Sequence, residues 1–556
     1  PVQPAPVTEL PPYYYRDNFM RLCDTVQERY ADILAVGELD WLQTCRELPF
    51  PAQCLYVRLI SRVGPCFRTD RLDYAEIVPL RDAWNELLRC NMATQAQQLE
   101  VEEIGRLYTR DELRQVFDQP RGHAMPAGKA DMLASIEALD IKPTVLLDKL
   151  QARFPGPVIA PCGVDKVQLL QLLFFGNRYQ SLTEFVLSDL GISRFFPYAL
   201  DPQTRLFARR EALEEYLCCA ALADRHREIP DLEQIDALAD LARESLELSP
   251  CHPSSERRWY RHCNALARDL ERVGLDNLAE QLYARSGTHP ARERRARVLE
   301  RRGSLSAAQA LCEEILAAPW GEDEAEAASR ILPRIRRALG GDPVPRRREQ
   351  FPRIELVLDP LDLRVEELAA RRLAADWSSV HYVENSLMNA LFGLAFWEEI
   401  FAPLPGVFHN PYQSAPSDMY EQGFRQRREA LLQRRLDQLA QLDLVDELVM
   451  AYSRYQGFQC RWVNWRRVDE ALVRRALGTI PATHLLAIWE RILFDPRENR
   501  RGFPDLLALG EGPGEYLMVE VKGPGDALQA GQKRWLRFFG ERDIPASVAW
   551  VTWADA

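Results

Sequence analysis

The feature that most constrains the fold is a pair of short apolar runs within residues 506–522, each bounded by Gly and Pro. The first run is Leu506-Leu507-Ala508-Leu509, and the turn Gly510-Glu511-Gly512-Pro513-Gly514 follows it. The second run extends from Tyr516 to Lys522 and is closed by Gly523-Pro524-Gly525. Short apolar runs between turn residues are typical of buried strands, so the segment predicts two antiparallel strands joined by a turn.

Polar residues stand at the ends of these two strands. Asp505, preceded by Pro504, begins the first strand, while Glu520 and Lys522 end the second. Because side chains alternate along a strand, Glu520 and Lys522 share one face, and the antiparallel pairing brings Asp505 beside Glu520. Two carboxylates hold a hard cation through oxygen ligands, and a lysine orients water or offsets developing charge. The three residues therefore predict metal-dependent hydrolysis of a phosphodiester.

The Glu-x-Lys triplet by itself carries little weight. Acid-x-Lys triplets occur at 140–142 and 520–522, close to the number expected by chance for a chain with six Lys. Only the second triplet has an upstream Pro-Asp strand, a turn and a following helix. A surface ion pair on an edge hairpin is the alternative interpretation.

A helix predicted after the second strand places Leu528, Gln532, Trp535, Leu536 and Phe539 on one face. Gln532 interrupts this otherwise apolar stripe. A buried amide needs a hydrogen-bond partner, which a metal or phosphate site would supply, although a glutamine satisfied within the core is an equal alternative.

Composition limits the classes of function. At 556 residues the chain has room for roughly three or four domains. Apolar residues make up 47% and charged residues 27%, which excludes general disorder, and the net charge of −12 restricts any nucleic-acid site to a local patch. Only six of the 70 basic residues are Lys. Since Arg cannot replace Lys where a titratable point charge is needed, Lys522 and Lys533 stand out, and we assign Lys533 to DNA binding.

Four arginines mark the N-terminal region as a second candidate site. Arg58, Arg62, Arg68 and Arg71 recur at short spacings or flank a Gly-Pro turn, which predicts one basic edge of a helical, winged-helix-like DNA-binding domain over 1–100. A solvated helix face is the alternative.

Residues 101–200 predict a smaller DNA-binding region built on short helices. Lys129 opens one of these helices, and a helix N-terminus can take a phosphate. We therefore assign Lys129 to DNA binding.

The middle of the chain predicts helical repeats. Within 201–340, Glu271-Arg272-Val273-Gly274 aligns with Glu300-Arg301-Arg302-Gly303, which indicates tetratricopeptide-like hairpins. A Gly, Pro and Arg-rich linker is predicted over 341–353. The last domain, 354–556, is predicted to be helical to about residue 490 and to have a sheet core over 495–556. The predicted fold class is multidomain and mainly α, with a C-terminal α/β core.

Cysteine use and hydropathy bear on the cellular compartment. The twelve cysteines form no C-x-x-C pair, which disfavours a zinc ribbon and predicts reduced thiols. The first residues lack the pattern of a signal peptide, and no apolar run reaches the roughly 18 residues of a membrane span. We expect a cytoplasmic protein that has no membrane partner.

Three segments together resemble a known nuclease domain, the virus-type replication-repair nuclease of the PD-(D/E)-x-K superfamily, which has a restriction-endonuclease-like core. They are Gly502 to Leu507, Val519 to Asp526, and Leu528 to Gln532 with Trp535-Leu536. Two further segments resemble the helix that precedes this domain in the Fanconi-associated nucleases: Val380 to Asn385 and Leu391 to Phe401. Leu55 to Leu59 and Leu72 to Ile77 extend the resemblance to the N-terminal region.

The resemblance implies a nuclease that cleaves 5′ flaps in branched or flapped duplex DNA, trims DNA in the 5′ to 3′ direction and acts in interstrand crosslink repair. It implies Mg²⁺ or Mn²⁺ as cofactor, and we expect two ions. By resemblance the metal ligands are Glu384, Asp505, Glu520 and the carbonyl of Val521, Lys522 is the catalytic lysine, and Gln532 joins the catalytic group. It also implies a SAP-type DNA-binding unit before the helical repeats.

One departure limits the resemblance. The ubiquitin-binding zinc finger of eukaryotic members needs a Cys/His quartet that this sequence does not offer, so the similarity is to bacterial members and ubiquitin-dependent recruitment is not implied. Two alternatives stay open. One is a restriction-like or junction-cleaving nuclease of the same superfamily, and the other is a non-catalytic helical-repeat scaffold that binds DNA.

Overall fold

The computed structural model divides into two compact units, Pro1–Ser193 and Arg194–Ala556. It describes residues 11–116, 128–138, 141–178, 180, 194–229, 232–342 and 349–554. The acidic residue of the first acid-x-Lys triplet, Asp140, and residues 343–348 of the predicted linker lie outside the described residues.

The N-terminal unit consists of helices packed around a small sheet. Its helices are α1 Tyr14–Tyr30, α2 Val36–Glu47, α3 Phe50–Ile60, α4 Leu80–Arg89, α5 Val101–Leu107, α6 Arg110–Val116, α7 Lys129–Ala138, α8 Pro143–Arg153 and α9 Val164–Phe175. Its strands are β1 Phe67–Arg68, β2 Ala93–Gln95 and β3 Val158–Pro161, in the order β1-β3-β2. The winged-helix-like domain stays a prediction.

The predicted border at residue 100 does not separate two sheets. Strand β3 comes from the segment 101–200, yet it pairs antiparallel with both β1 and β2 from the segment 1–100. Two-residue and three-residue strands cannot form a stable sheet alone, so the central strand must come from further along the chain. Residues on both sides of the predicted border therefore fold together.

Helical hairpins dominate the first part of the second unit. Short strand β4 Arg194–Phe195 precedes the helices α10 Arg210–Glu228, α11 Ile235–Glu247, α12 Pro253–Arg272, α13 Asp276–Arg285, α14 Ala291–Arg301, α15 Leu305–Ala317 and α16 Glu322–Ala338. The two copies of the sequence repeat have the same local structure. Gly274 and Gly303 follow α12 and α14 with φ of +80° and +77°, values that favour glycine and turn the chain into the next helix.

A five-stranded mixed sheet lies in the last part of the chain. Its strands are β5 Arg353–Leu358, β6 Ser379–Tyr382, β8 Leu506–Leu509, β9 Tyr516–Lys522 and β10 Ala546–Trp553, in the order β5-β10-β9-β8-β6. Strand β10 runs parallel to β5 and β9, and β8 runs antiparallel to β6 and β9. The hairpin predicted from the two apolar runs is confirmed.

The prediction that the chain is helical to about residue 490 is wrong for β5 and β6. Both are edge strands of the five-stranded sheet, so the sheet core is not confined to 495–556. The side chains of β5 that face the core, Ile354, Leu356 and Leu358, recur at every second position, as they do in a half-buried strand. Strand β6 has four residues, which is too short to show a period.

Helices surround this sheet. They are α17 Val365–Leu373, α18 Ser386–Ala395, α19 Trp397–Ile400, α20 Phe424–Arg427, α21 Glu429–Leu439, α22 Leu444–Tyr455, α23 Glu470–Thr479, α24 Ala482–Phe494 and α25 Ala530–Glu541, with short strand β7 Phe458–Gln459 pairing with β4. One large apolar core joins all of them except α17, and Trp397, Trp489 and Trp535 are fully buried in it. The buried side chains of α17 pack in a second core with residues of β5, β8, β9 and β10. None of the helices among the described residues is long and apolar enough to cross a membrane.

Candidate nuclease active site

Asp505 lies where three neighbouring strands end or begin. Leu506 pairs with Val519 in β9 and with Tyr382 in β6, so the residue before it faces the ends of both neighbours. The carbonyl oxygen of Asp505 accepts hydrogen bonds from the backbone N–H groups of Val383 (2.9 Å) and Glu384 (3.0 Å). Its carboxylate Oδ2 accepts from Val521 N at 3.0 Å. The sheet therefore holds Asp505 between Glu384 and the Glu520–Lys522 strand end.

Glu384 is not on a helix, contrary to the expectation from the resemblance. It lies in the turn between β6 and α18, with φ of +39°. This left-handed conformation is uncommon for a residue with a side chain. Two hydrogen bonds orient its carboxylate: Tyr382 Oη donates to Oε2 at 2.9 Å, and Asn385 Nδ2 donates to Oε1 at 3.3 Å. The strained turn thus presents Glu384 beside Asp505.

The two oxygens of Glu520 have different surroundings. Oε1 receives Lys522 Nζ at 2.9 Å and Gln532 Nε2 at 2.5 Å. Oε2 is buried and has no hydrogen-bond partner among the described residues. A buried carboxylate oxygen without a donor is costly unless a cation or water satisfies it. Glu520 thus has one oxygen engaged by the protein and one open to a ligand.

Gln532 is fixed by a second hydrogen bond at the start of α25. Its Oε1 accepts from the backbone N–H of Gln529, the residue before the helix, at 2.9 Å. Since a backbone N–H can only donate, the amide oxygen must point toward it, and Nε2 is left to face Glu520. The amide predicted to need a partner at the site thus donates to Glu520.

Burial and like charge control the protonation of the two central carboxylates. Burial, with repulsion from Asp505, raises the pKa of Glu520 to about 8. Burial, with repulsion from Glu366 and Glu384, raises the pKa of Asp505 to about 6. Both shifts disfavour the charged forms. A bound divalent cation would relieve this repulsion.

The arrangement fits a divalent cation. Hard cations prefer carboxylate and carbonyl oxygens, and the site offers the open oxygen of Glu520 beside Asp505. Val521 adds a carbonyl: its N–H points to Asp505, and the N–H and C=O of one strand residue point to the same edge. The donor set therefore consists of oxygens, as Mg²⁺ or Mn²⁺ requires.

Sequence reasoning missed two residues at this site. Glu366, in the first turn of α17, raises the pKa of Asp505 through like-charge repulsion. Tyr382 holds Glu384, and burial together with this hydrogen bond raises the tyrosine pKa to about 12. Neither residue is close in sequence to the hairpin. The sequence shows two acidic residues at the start of α17, but it does not indicate which strand end that helix faces.

The segment before Asp505 is packed against the start of α25. Phe503 stacks on Trp535 with ring centroids 4.1 Å apart, and Trp535 Nε1 donates to the carbonyl of Arg501 at 2.9 Å. Gly502 has φ of +84°, and a Cβ there would lie 2.7 Å from the carbonyl carbon of Gly531 and 2.9 Å from Gln532 N. Only glycine permits this close approach.

The predicted basic edge of the N-terminal unit is only partly available to DNA. Arg68 is 3% exposed and pairs with Asp70 and Glu112, so the prediction that it contacts DNA is wrong. Burial beside these carboxylates gives it a structural role that spacing could not distinguish from a surface one. Arg58 is half-buried over Tyr15 and bonds to Glu76.

The remaining predicted DNA contacts lie at or near the surface. Arg62 and Arg71 are exposed and line a cavity of about 450 Å³ in the N-terminal unit. Lys129 is half-buried at the first position of α7. Lys533 is half-buried next to Gln532 on α25 and has no ion pair among the described residues. These four stay predictions.

Two family models match the chain. The model described as the FAN1 HTH domain matches residues 13–94, and the model described as the VRR-NUC domain matches residues 440–553. The first covers the α1–α4 region of the N-terminal unit, and the second covers β8 to β10 with Asp505, Glu520 and Lys522.

The chain is also similar to whole proteins. A protein of Pseudomonas aeruginosa named Fanconi-associated nuclease 1 homolog is 37% identical over 99% of this chain and 98% of its own length. The crystal structure of paFAN1 bound to 2-nucleotide 5′-flap DNA with a gap matches with a TM-score of 0.83, 36% identity, and coverage of 99% of this chain and 100% of that chain. A homolog from Oryza sativa subsp. japonica is 24% identical over 94% of this chain and 61% of its own length.

Proposed function

Because this chain belongs to the Fanconi-associated nuclease family and is a DNA nuclease, we propose that it is a metal-dependent enzyme that cuts duplex DNA at 5′ flaps. The proposal includes 5′ to 3′ exonuclease activity and a role in interstrand crosslink repair, both implied by the family. The structures of paFAN1 with one-nucleotide and two-nucleotide 5′ flaps support the substrate class, since this chain covers each of them completely.

The observation that supports the proposal is that the two carboxylate oxygens of Glu520 have different partners. One carboxylate oxygen is engaged by Lys522 and Gln532, and the other is buried, unpartnered among the described residues and next to Asp505. A structural ion pair on an edge hairpin would have no reason to leave a buried oxygen open. We assign Glu520, Asp505, Glu384 and the Val521 carbonyl to metal binding.

Two Mg²⁺ or Mn²⁺ ions are the proposed cofactor. Strand β8 lies between β9 and β6 in the sheet, so Asp505 at its start stands between Glu520 and Glu384, and these residues would hold the ions. A divalent ion supplies a Lewis acid that polarises the scissile phosphate and makes an attacking water more acidic.

The side chains of this chain do the remaining work. The ammonium of Lys522 orients the attacking water and offsets negative charge that develops on the phosphate oxygens. Glu520 Oε1 holds the ammonium of Lys522 in place at 2.9 Å. Gln532, on α25, orients the Glu520 carboxylate by donating a hydrogen bond to the same oxygen. Gln532 is therefore a positioning residue, acting through Glu520.

We propose that Arg62, Arg71, Lys129 and Lys533 contact the DNA backbone. Exposure of the first two beside a cavity supports the assignment, because a phosphate can reach their guanidinium groups. Arg71 is already paired with Glu112, but its side chain is exposed. Arg58 is also proposed to contact DNA, on weaker support, because it is half-buried as well as paired with Glu76.

A cleavage assay tests the proposal. Purified protein is incubated with a 5′-flap duplex, a 3′-flap duplex and a Holliday junction, with Mg²⁺ or Mn²⁺ or with chelator, beside Lys522→Ala. We expect metal-dependent cutting near the 5′-flap branch that the variant lacks. Preferred cutting of the junction would instead favour the junction-cleaving alternative, and tight binding without cutting would favour a scaffold.

A further inference from the structure

Three potential metal ligands converge in the helical repeats, on elements that contribute nothing to the nuclease site. Glu215 lies on α10, while Cys251 and His252 immediately precede α12. Glu215 and His252 are half-buried, with side chains 18% and 22% exposed, and Cys251 is exposed. The cluster therefore has a protein-facing side and an open side.

The three donor groups lie close together. Cys251 Sγ lies 3.3 Å from Glu215 Oε2 and 3.6 Å from His252 Nδ1, and His252 Nδ1 lies 3.1 Å from Glu215 Oε1. A tetrahedral zinc ion, with bonds of about 2.3 Å to sulfur and about 2.0 Å to nitrogen or oxygen, separates its ligand atoms by roughly 3.3 to 3.6 Å. Each observed separation is within a few tenths of an ångström of these values, with one Glu215 oxygen facing the thiol and the other facing the imidazole. One ligand atom from each of the three residues lies within 4.8 Å of the other two, so a small shift of the carboxylate would let a single ion reach all three.

The backbone holds Glu215 in this position. Its Oε2 accepts from Cys251 N at 3.1 Å, and its Oε1 accepts from His252 N at 3.0 Å. A carboxylate oriented by hydrogen bonds is a prepared metal ligand, because supporting contacts of this kind fix the direction of its free lone pairs. Among the described residues its single ion pair is with His252, which is neutral unless protonated.

We propose that Glu215, Cys251 and His252 form a zinc-binding site that ties α10 to the start of α12. A thiolate with an imidazole selects zinc over Mg²⁺ or Mn²⁺, which prefer oxygen ligands. Water fills the fourth position on the exposed side. Binding releases the thiol proton, and the imidazole keeps its remaining proton on Nε2 so that Nδ1 can bind.

Cobalt titration of the full-length protein tests this site. Co²⁺ is a spectroscopic substitute for zinc, and only a cysteine ligand gives a thiolate-to-cobalt absorption band in the near ultraviolet. The nuclease site has no cysteine, so ions bound there do not contribute. The variants are Cys251→Ser and Glu215→Gln. Cys218→Ser is the matched control, because Cys218 is also an exposed thiol but lies on α10, outside the cluster.

We expect one equivalent of Co²⁺ to produce the band in the wild type and in Cys218→Ser, and Zn²⁺ to abolish it. In Cys251→Ser the band should be absent and Zn²⁺ affinity should fall by more than the roughly 10- to 100-fold that loss of a supporting residue costs. Zn²⁺ should also raise the melting temperature of the wild type but not of Cys251→Ser. A wild-type protein without the band at excess Co²⁺, or a band that persists in Cys251→Ser, overturns the proposal.

Discussion

Gln532 and Glu520 are joined across the boundary between α25 and the sheet by one short hydrogen bond, from Nε2 to Oε1 at 2.5 Å. The same amide also caps its own helix through Oε1. The fold of the helix start and the orientation of a proposed metal ligand therefore depend on a single side chain.

Gln532→Glu separates these two roles. The new carboxylate still accepts the hydrogen bond from Gln529 N, so the melting temperature should stay close to that of the wild type. It cannot donate to Glu520 and repels it, so the Mn²⁺ concentration needed for half-maximal cleavage should change and the rate should fall roughly 10- to 100-fold. Gln529→Glu, which adds the same charge at the helix start, is the control. An unchanged Mn²⁺ dependence in Gln532→Glu would assign Gln532 to helix capping alone.

The metal-free protein should lose stability as the pH rises. Because the pKa of Glu520 is raised to about 8, the folded chain retains a proton that the unfolded chain releases near its ordinary pKa of about 4.3. The contribution of Glu520 to the free energy of unfolding is thus most favourable below its ordinary pKa and declines until the pH reaches about 8. Asp505 adds to this decline until the pH reaches about 6. Melting temperatures with chelator across the range between these two pKa values measure this.

Excess Mn²⁺ should reduce that slope, since the ion stabilises the charged carboxylates. Glu520→Gln, which cannot ionise, should flatten the metal-free curve. A curve with the same slope in Glu520→Gln would show that other groups cause the pH dependence.

Asp505→Asn should abolish cleavage and stabilise the metal-free protein. Asparagine Oδ1 can still accept from Val521 N, but the repulsion with Glu520 disappears, which should add roughly 1 kcal/mol or more to the free energy of unfolding. Cleavage assays and denaturation with chelator provide the two readouts. Retained cleavage would exclude Asp505 as a metal ligand.

Gly502→Ala should destabilise the protein more than Gly514→Ala, although both glycines have the same backbone conformation. Gly514 has the same φ of +84°, but no atom lies within 4 Å of the place its Cβ would occupy, so Gly514→Ala measures backbone strain alone, about 1 to 2 kcal/mol. Gly502→Ala adds the clash with Gly531 and Gln532, a further 1 to 3 kcal/mol or so, and should also slow cleavage by displacing Gln532. If the two substitutions lower the free energy of unfolding equally, the start of α25 moves away from the new Cβ without an energetic penalty.

Arg62→Ala combined with Arg71→Ala should weaken flap binding and reduce its salt dependence. Each lost phosphate contact lowers the slope of log K against log salt by about 0.9, so the double variant should lose nearly two units of slope. Arg89, an exposed arginine of the same unit paired with Glu86, provides the control substitution. If the slope is unchanged, these arginines belong to the solvated surface.

Local signals were sufficient for the hairpin and its polar ends. The apolar runs, the Gly and Pro turns and the two-residue period lie within the segment itself, so Asp505, Glu520 and Lys522 could be placed together from the sequence. Gln532 was recognisable because one polar residue interrupts a helical stripe.

Long-range pairing lay beyond such signals. Strands β5 and β6 join the sheet from more distant sequence, and the turn conformation of Glu384 depends on its bonds to the carbonyl of Asp505. Arginine spacing likewise shows which residues share a face, but not whether that face is buried, as Arg68 demonstrates.

The sheet order has a consequence for biosynthesis. Strand β9, which bears Glu520 and Lys522, lies between β8 and β10, and β10 is also the partner of β5. The ribosome delivers Glu384 first, then Asp505, then Glu520, and only afterwards the strand that joins both halves of the sheet. The five-stranded sheet that holds these three carboxylates is therefore complete only after β10 has been made.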